Sequence, residues 1–96
     1  MDVKEAVRTA KATVGELFGD QIVSDPRLEE VEFDHESHLW RITIGFLRMP
    51  ELPRQPQSKA GKLLSQLATP QRAYKVVNID DGNQEVVAVK DRELPL

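Results

Sequence analysis

An alternating stretch in the middle of the chain constrains the fold more than any other feature. Between Leu39 and Leu47 every second residue is large and apolar, in the order Trp40, Ile42, Ile44 and Phe46. Because successive side chains of a strand point to opposite faces of a sheet, this stretch can bury one face and expose the other. We therefore expect a strand of a sheet that is packed against a second layer.

The covering layer is predicted at the N-terminus. Apolar residues recur there every three or four positions, at Val3, Ala6, Val7, Ala10, Val14, Leu17 and Phe18. This spacing is typical of a helix buried along one stripe, and we place it at about residues 3–18. Asp2 is the predicted N-cap, and Gly19 is expected to end the helix in the left-handed conformation.

Two hairpins are predicted after this helix. Residues 28–34 alternate and join the 39–47 strand through a short polar segment, which favours an antiparallel pair. Residues 73–79 and 85–90 form the second pair, with Gly82 expected to supply the positive φ of the turn between them. The predicted core comprises Val7, Val14, Phe18, Phe33, Trp40, Ile42 and Ile44.

The chain is thus predicted to be a single α+β domain over residues 1–96, with the helix packed on a four-stranded antiparallel sheet. Residues 48–71 contain four prolines and are expected to form a long basic loop. Within this loop, residues 58–68 can form a short helix that presents apolar residues to the sheet, namely Ala60, Leu63, Leu64 and Leu67. The tail, residues 91–96, is expected to fray.

Composition excludes several classes of protein. The chain of 96 residues has no cysteine, which rules out a disulfide scaffold and any thiolate chemistry. Its charged N-terminus and the lack of a long apolar run predict a cytoplasmic location without a membrane contact. The formal charge is -3, but the segment from Glu16 to Glu36 holds eight acidic residues against a single arginine.

The order of the predicted elements resembles the PepSY-like module, a small helix-plus-antiparallel-sheet domain, and more loosely the cystatin-like α+β arrangement. The residues that carry the resemblance are 5–18, 28–33, 40–44, and the strand, Asp-Gly turn and strand of 74–87. Proteins of that kind are mostly non-catalytic and regulate or inhibit a partner such as a peptidase. The resemblance therefore implies an accessory, inhibitory or immunity-like role.

Two chemical alternatives have limited support in the sequence. His35 and His38, with the carboxylates beside them, suggest a small hydrolase or metal-dependent enzyme, but a tight turn is expected to place the two imidazoles on opposite arms. The basic stretch from Arg54 to Lys75 suggests nucleic-acid binding, yet Tyr74 is its single nearby aromatic and the domain is acidic. We expect no catalytic or metal-binding residue, no cofactor and no nucleic-acid partner.

The sheet face away from the helix suggests a binding function. Leu39, Thr43 and Leu47 are predicted on that face, and either Val86 with Ala88 or Val87 with Val89 should join them. The face is either covered by the 58–68 helix or used for association. We expect a protein partner, with a second copy of the chain as the other candidate, and we expect acidic contacts from Glu29, Glu30 and Glu32.

Overall fold

The alternating stretch forms the second strand of a four-stranded antiparallel sheet. The structure is a computed structural model and describes residues 1–49 and 70–92. The elements are α1 (Val3–Phe18), β1 (Arg27–Asp34), β2 (Leu39–Arg48), β3 (Gln71–Asp80) and β4 (Val86–Asp91). The strands lie in the order β1-β2-β3-β4, and α1 packs on one face of the sheet. The predicted α+β fold is confirmed.

Helix α1 has the predicted bounds, but the glycine that follows it does not have the predicted conformation. The Asp2 carboxylate accepts a 2.8 Å hydrogen bond from the Glu5 amide, which is the expected N-cap. Gly19 has φ -55 and ψ -35, so the prediction of a left-handed residue at this position is wrong. Gly19 instead keeps a right-handed helical conformation, and a turn follows in which the Gln21 amide donates to the Phe18 carbonyl at 2.9 Å.

The core lies between the small-residue stripe of α1 and the two central strands. Its buried hydrophobic residues are Ala6, Ala10, Val14, Ile42, Ile44, Phe46, Val77 and Ile79. Val7, Phe18 and Trp40, which we predicted to be buried, are only partly buried and pack against the rim of this cluster. Phe33 is also half-buried and contacts the Trp40 ring at 4.9 Å between centroids. The central strands are enclosed more fully because both have a neighbour on each side.

A bulge changes the faces of the last strand. Asn78 pairs with Ala88 and Ile79 pairs with Val86, so Val87 is the extra residue on β4. As a result Val86 and Val89 both pack against the core, and Val87 is 54% exposed. Neither predicted pair therefore joins the face away from the helix as a pair, and Ala88 lies on that face opposite Asn78.

The turn of the second hairpin does not have the predicted backbone conformation. Gly82 does not have a positive φ, and Gln84 takes that conformation instead, with φ 61. The Asp80 carboxylate accepts hydrogen bonds from the Gly82 and Asn83 amides, at 2.8 and 3.2 Å. This side-chain cap holds the start of the turn, so glycine is not needed for its curvature.

The strands extend into the ends of the segments that we predicted as the loop and the tail. Arg48 belongs to β2 and Gln71 to β3, and Asp91 is the last residue of β4. The predicted 58–68 helix and most of the 48–71 loop lie outside the described residues, as do residues 93–96. Within the described ranges no helix has the length and apolar content to span a bilayer.

Candidate interaction face on the sheet

The six residues predicted to bind a partner lie on one face of the sheet, opposite α1, which we call the outer face. In β1 and β2 the register pairs Glu30 with Thr43, Glu32 with Arg41 and Asp34 with Leu39, all on this side. The corresponding pairs on the other side include Val31 with Ile42, which belongs to the core. The β2–β3 register adds Leu47, Tyr74, Val76 and Asn78 to the outer face.

The apolar residues of the outer face are separated rather than clustered. Leu39 and Leu47 are both half-buried and stand at opposite ends of β2, about 26 Å apart for an extended strand. Thr43 lies midway between them and is only 5% exposed. Thr43 is therefore covered by neighbouring side chains, whereas the two leucines on either side of it along β2 are partly accessible.

An arginine side chain crosses the middle of the outer face. The guanidinium of Arg92, just after β4, lies 5.7 Å from the centre of the Tyr74 ring and 3.9 Å from the Glu30 carboxylate on β1. Because β4 and β1 are the two edge strands, this contact spans both central strands. Thr43, which is buried, is the cross-strand neighbour of Glu30.

A second carboxylate lies flat on the sheet at Gly45. A Cβ atom at this position would be 2.7 Å from Oε1 of Glu29 and 2.9 Å from its Cγ. The same Oε1 is 3.6 Å from the Arg72 guanidinium on β3. A bulge in β1 at Glu29 brings this side chain over β2, and the glycine leaves room for it.

The remaining acidic residues of β1 are arranged around Arg41. Its guanidinium is 3.2 Å from the Glu32 carboxylate and 3.0 Å from that of Asp34, and the two carboxylates raise the pKa of Arg41. The amide of Glu36 lowers the pKa of Asp34, followed by the contacts with Ser37 and Arg41. The Glu30 and Glu32 side chains nevertheless remain 55% exposed.

One polar atom on this face lacks a partner among the described residues. Oδ1 of Asn78 is buried and accepts no hydrogen bond there. Asn78 lies between Arg41 on β2 and Ala88 on β4. An acceptor left unpaired in this way is costly, so a donor supplied at this point would be stabilising.

The histidines of the first hairpin both lie beside the ring of Phe33. His35 and His38 flank the turn and contact the Phe33 ring, with centroids 5.0 and 6.4 Å away. In residues 1–49 and 70–92 no three side chains suited to metal ligation come together. Of the basic stretch, Arg72 pairs with Glu29, and Lys75 pairs with Asp91 while covering the Phe18 ring.

Sequence reasoning missed the arginines of the outer face. Arg41 could have been found, because it alternates with Leu39 and Thr43 on the same strand. Arg72 and Arg92 carried no local signal, since their contacts with β1 depend on the register of all four strands. The face is therefore more polar, and more thoroughly covered by its own side chains, than the leucines alone suggested.

Comparison with known proteins identified no relative: no family model, curated protein or solved structure matched the chain. The PepSY-like and cystatin-like resemblance stays a prediction from the sequence pattern.

Proposed function

We propose that the protein is a non-enzymatic binding module that receives a protein partner on its outer face. The observation that carries this proposal is the common location of Leu39, Leu47 and the acidic row of β1 on the side of the sheet opposite α1. Among the described elements, the helix packs on the other side. Partly exposed apolar residues beside oriented charges are typical of recognition surfaces.

The charges on this face indicate the chemistry of the partner. Glu30 and Glu32 lie on the edge strand β1, and more than half of each side chain is exposed. A partner with basic residues opposite this edge and apolar residues opposite Leu39 and Leu47 would complement the face. The arginines already bound to the carboxylates hold them in place, which reduces the entropy lost on binding.

The resemblance to PepSY-like modules is consistent with a regulatory role. Proteins of that kind mostly act by binding, which is the role that we propose for the outer face. Regulation or inhibition of a partner is the form of this function that we propose. A second copy of the chain is the alternative occupant of the same face.

A charge-insertion experiment tests the proposal. The double variant Leu39→Lys/Leu47→Lys should keep its fold, because both side chains are only half-buried at the ends of β2. It should lose capture of the partner from a lysate of the source cells, or lose self-association in sedimentation velocity, since buried interface positions tolerate an unpaired charge poorly.

The matched control is Val3→Lys/Leu17→Lys, which adds the same two charges on α1, on the other side of the sheet, at sites 44% and 56% exposed. It should associate like the wild type. Equal association by both variants, with both folded by circular dichroism, would contradict a role for the outer face.

A further inference from the structure

A second surface lies on the other side of the molecule, between α1 and the start of β1. It is an open groove of about 530 Å³ lined by Val3, Lys4, Val7, Arg8, Lys11 and Leu28, and we call it the basic groove. Val3 and Leu28 are 44% and 42% exposed, which is high for large apolar residues. The floor of the groove is thus apolar and accessible to a ligand.

The rim of the basic groove has one sign of charge. Lys4, Arg8 and Lys11 are spaced by four and three residues, so they follow one side of the helix over about 10 Å. None of the three forms an ion pair with a described residue, whereas the outer-face residues Arg41, Arg72 and Arg92 all do. Among residues 1–49 and 70–92 the rim is therefore a stripe of positive charge without ion pairs, beside an apolar floor.

We propose that the basic groove binds an acidic amphipathic segment of another protein. Carboxylates one helical turn apart would match the spacing of the three cations, and apolar side chains between them would cover Val3, Val7 and Leu28. The proposal is independent of the outer face, whose charges call for a basic partner.

The observations favour a peptide over an anionic membrane. The rim holds three cations, fewer than the cluster of about four to eight by which anionic lipid surfaces are usually recognised. In addition, the main apolar stripe of α1, formed by Ala6, Ala10 and Val14, is fully buried in the core and cannot insert into lipid. A ligand that binds only in the groove must be narrow enough to fit between α1 and β1, as a single peptide segment is.

Fluorescence anisotropy with the full chain provides the test. The probe is a labelled amphipathic peptide of about four helical turns, with leucine and glutamate at helical spacing, compared with its leucine–lysine counterpart. The glutamate peptide should bind saturably and the lysine peptide should not. Arg8→Glu/Lys11→Glu should weaken binding roughly tenfold or more.

The matched control is Arg27→Glu/Lys90→Glu, which makes the same change in net charge at exposed positions outside the groove. It should bind the glutamate peptide nearly as well as the wild type. Amide shift changes in wild-type protein should centre on Val7, Arg8 and Leu28, which keeps the test valid if a variant unfolds.

Four results would overturn the proposal. They are a lack of saturable binding, equal binding of both peptides, an equal loss in the control variant, and displacement of the peptide by phosphatidylglycerol vesicles. A fifth is self-association that is abolished by Arg8→Glu/Lys11→Glu, because the occupant would then be a second copy. Retained peptide binding by Leu39→Lys/Leu47→Lys would separate this site from the outer face.

Discussion

Gly45 shows how a single residue can shape the outer face. The space that a side chain would occupy is filled by the Glu29 carboxylate and its Cγ, and that carboxylate also meets Arg72. Glycine in a strand normally costs stability relative to alanine, because the unfolded chain gains freedom. At Gly45 the glycine also permits the Glu29 side chain to lie on the sheet, which the methyl group of an alanine would prevent.

We predict opposite effects of Gly45→Ala in two backgrounds. In the wild type it should lower the free energy of unfolding by about 1 kcal/mol, because the new methyl displaces Glu29 from the sheet. In the Glu29→Ala background it should raise that free energy by about 0.5 kcal/mol, since the space is then free. Urea denaturation of the four proteins measures the coupling. Additive effects would show that Glu29 does not occupy this position.

Conformation at single residues was only partly predictable. Asp2 has a side chain suited to one role at a helix start, and the structure confirms that role. Glycine permits a positive φ without requiring it, and neither Gly19 nor Gly82 adopts one. Gln84 does so instead, because the position of the β4 bulge and the Asp80 cap fix the path of that turn.

At the scale of elements, predictability followed the contrast between polar and apolar positions. Helix α1 and strand β2 have such contrast and were placed to within a residue or two. In β4 four successive residues, Val86 to Val89, are apolar, so alternation could not identify which of them face the core. Pairing with β3 decides this, through the bulge at Val87.

The bulge predicts unequal effects of the same substitution at two valines in β4. Val89→Lys should cost about 2 kcal/mol of unfolding free energy, because Val89 packs against the core. Val87→Lys should change it by less than about 0.5 kcal/mol, since this side chain is 54% exposed. Thermal denaturation of both variants is the measurement. A larger loss at Val87 would mean that the register of β4 is shifted by one residue.

At the scale of the whole molecule, acidic and basic residues that are far apart in the sequence form ion pairs across the sheet. The acidic strand β1 is placed within reach of Arg72 and Arg92, which are more than forty residues away along the chain. The face on which Leu39, Thr43 and Leu47 lie could be predicted, because alternation alone assigns it. The arginines that cover this face could not be predicted, because their positions depend on the order and register of all four strands.

Trp40 links the two hairpins and tests the assembly as a whole. Its ring packs against the core and Phe33, while its indole N–H donates a 3.0 Å hydrogen bond to the Asp81 carboxylate in the turn between β3 and β4. Trp40→Ala removes both the packing and the link, and should cost about 3 kcal/mol, the lower end for an aromatic residue because the ring is partly exposed.

The matched variant Asp81→Ala leaves the ring in place and removes the acceptor together with its 3.7 Å ion pair to the Met1 amino group, so it should cost about 1 to 2 kcal/mol. Equilibrium denaturation should show one cooperative transition for each variant, with a larger loss for Trp40→Ala. A small effect at Trp40 would mean that the ring does not fill the end of the core. Equal losses in the two variants would instead assign its contribution to the hydrogen bond, and the two hairpins would then be joined by polar contacts more than by packing.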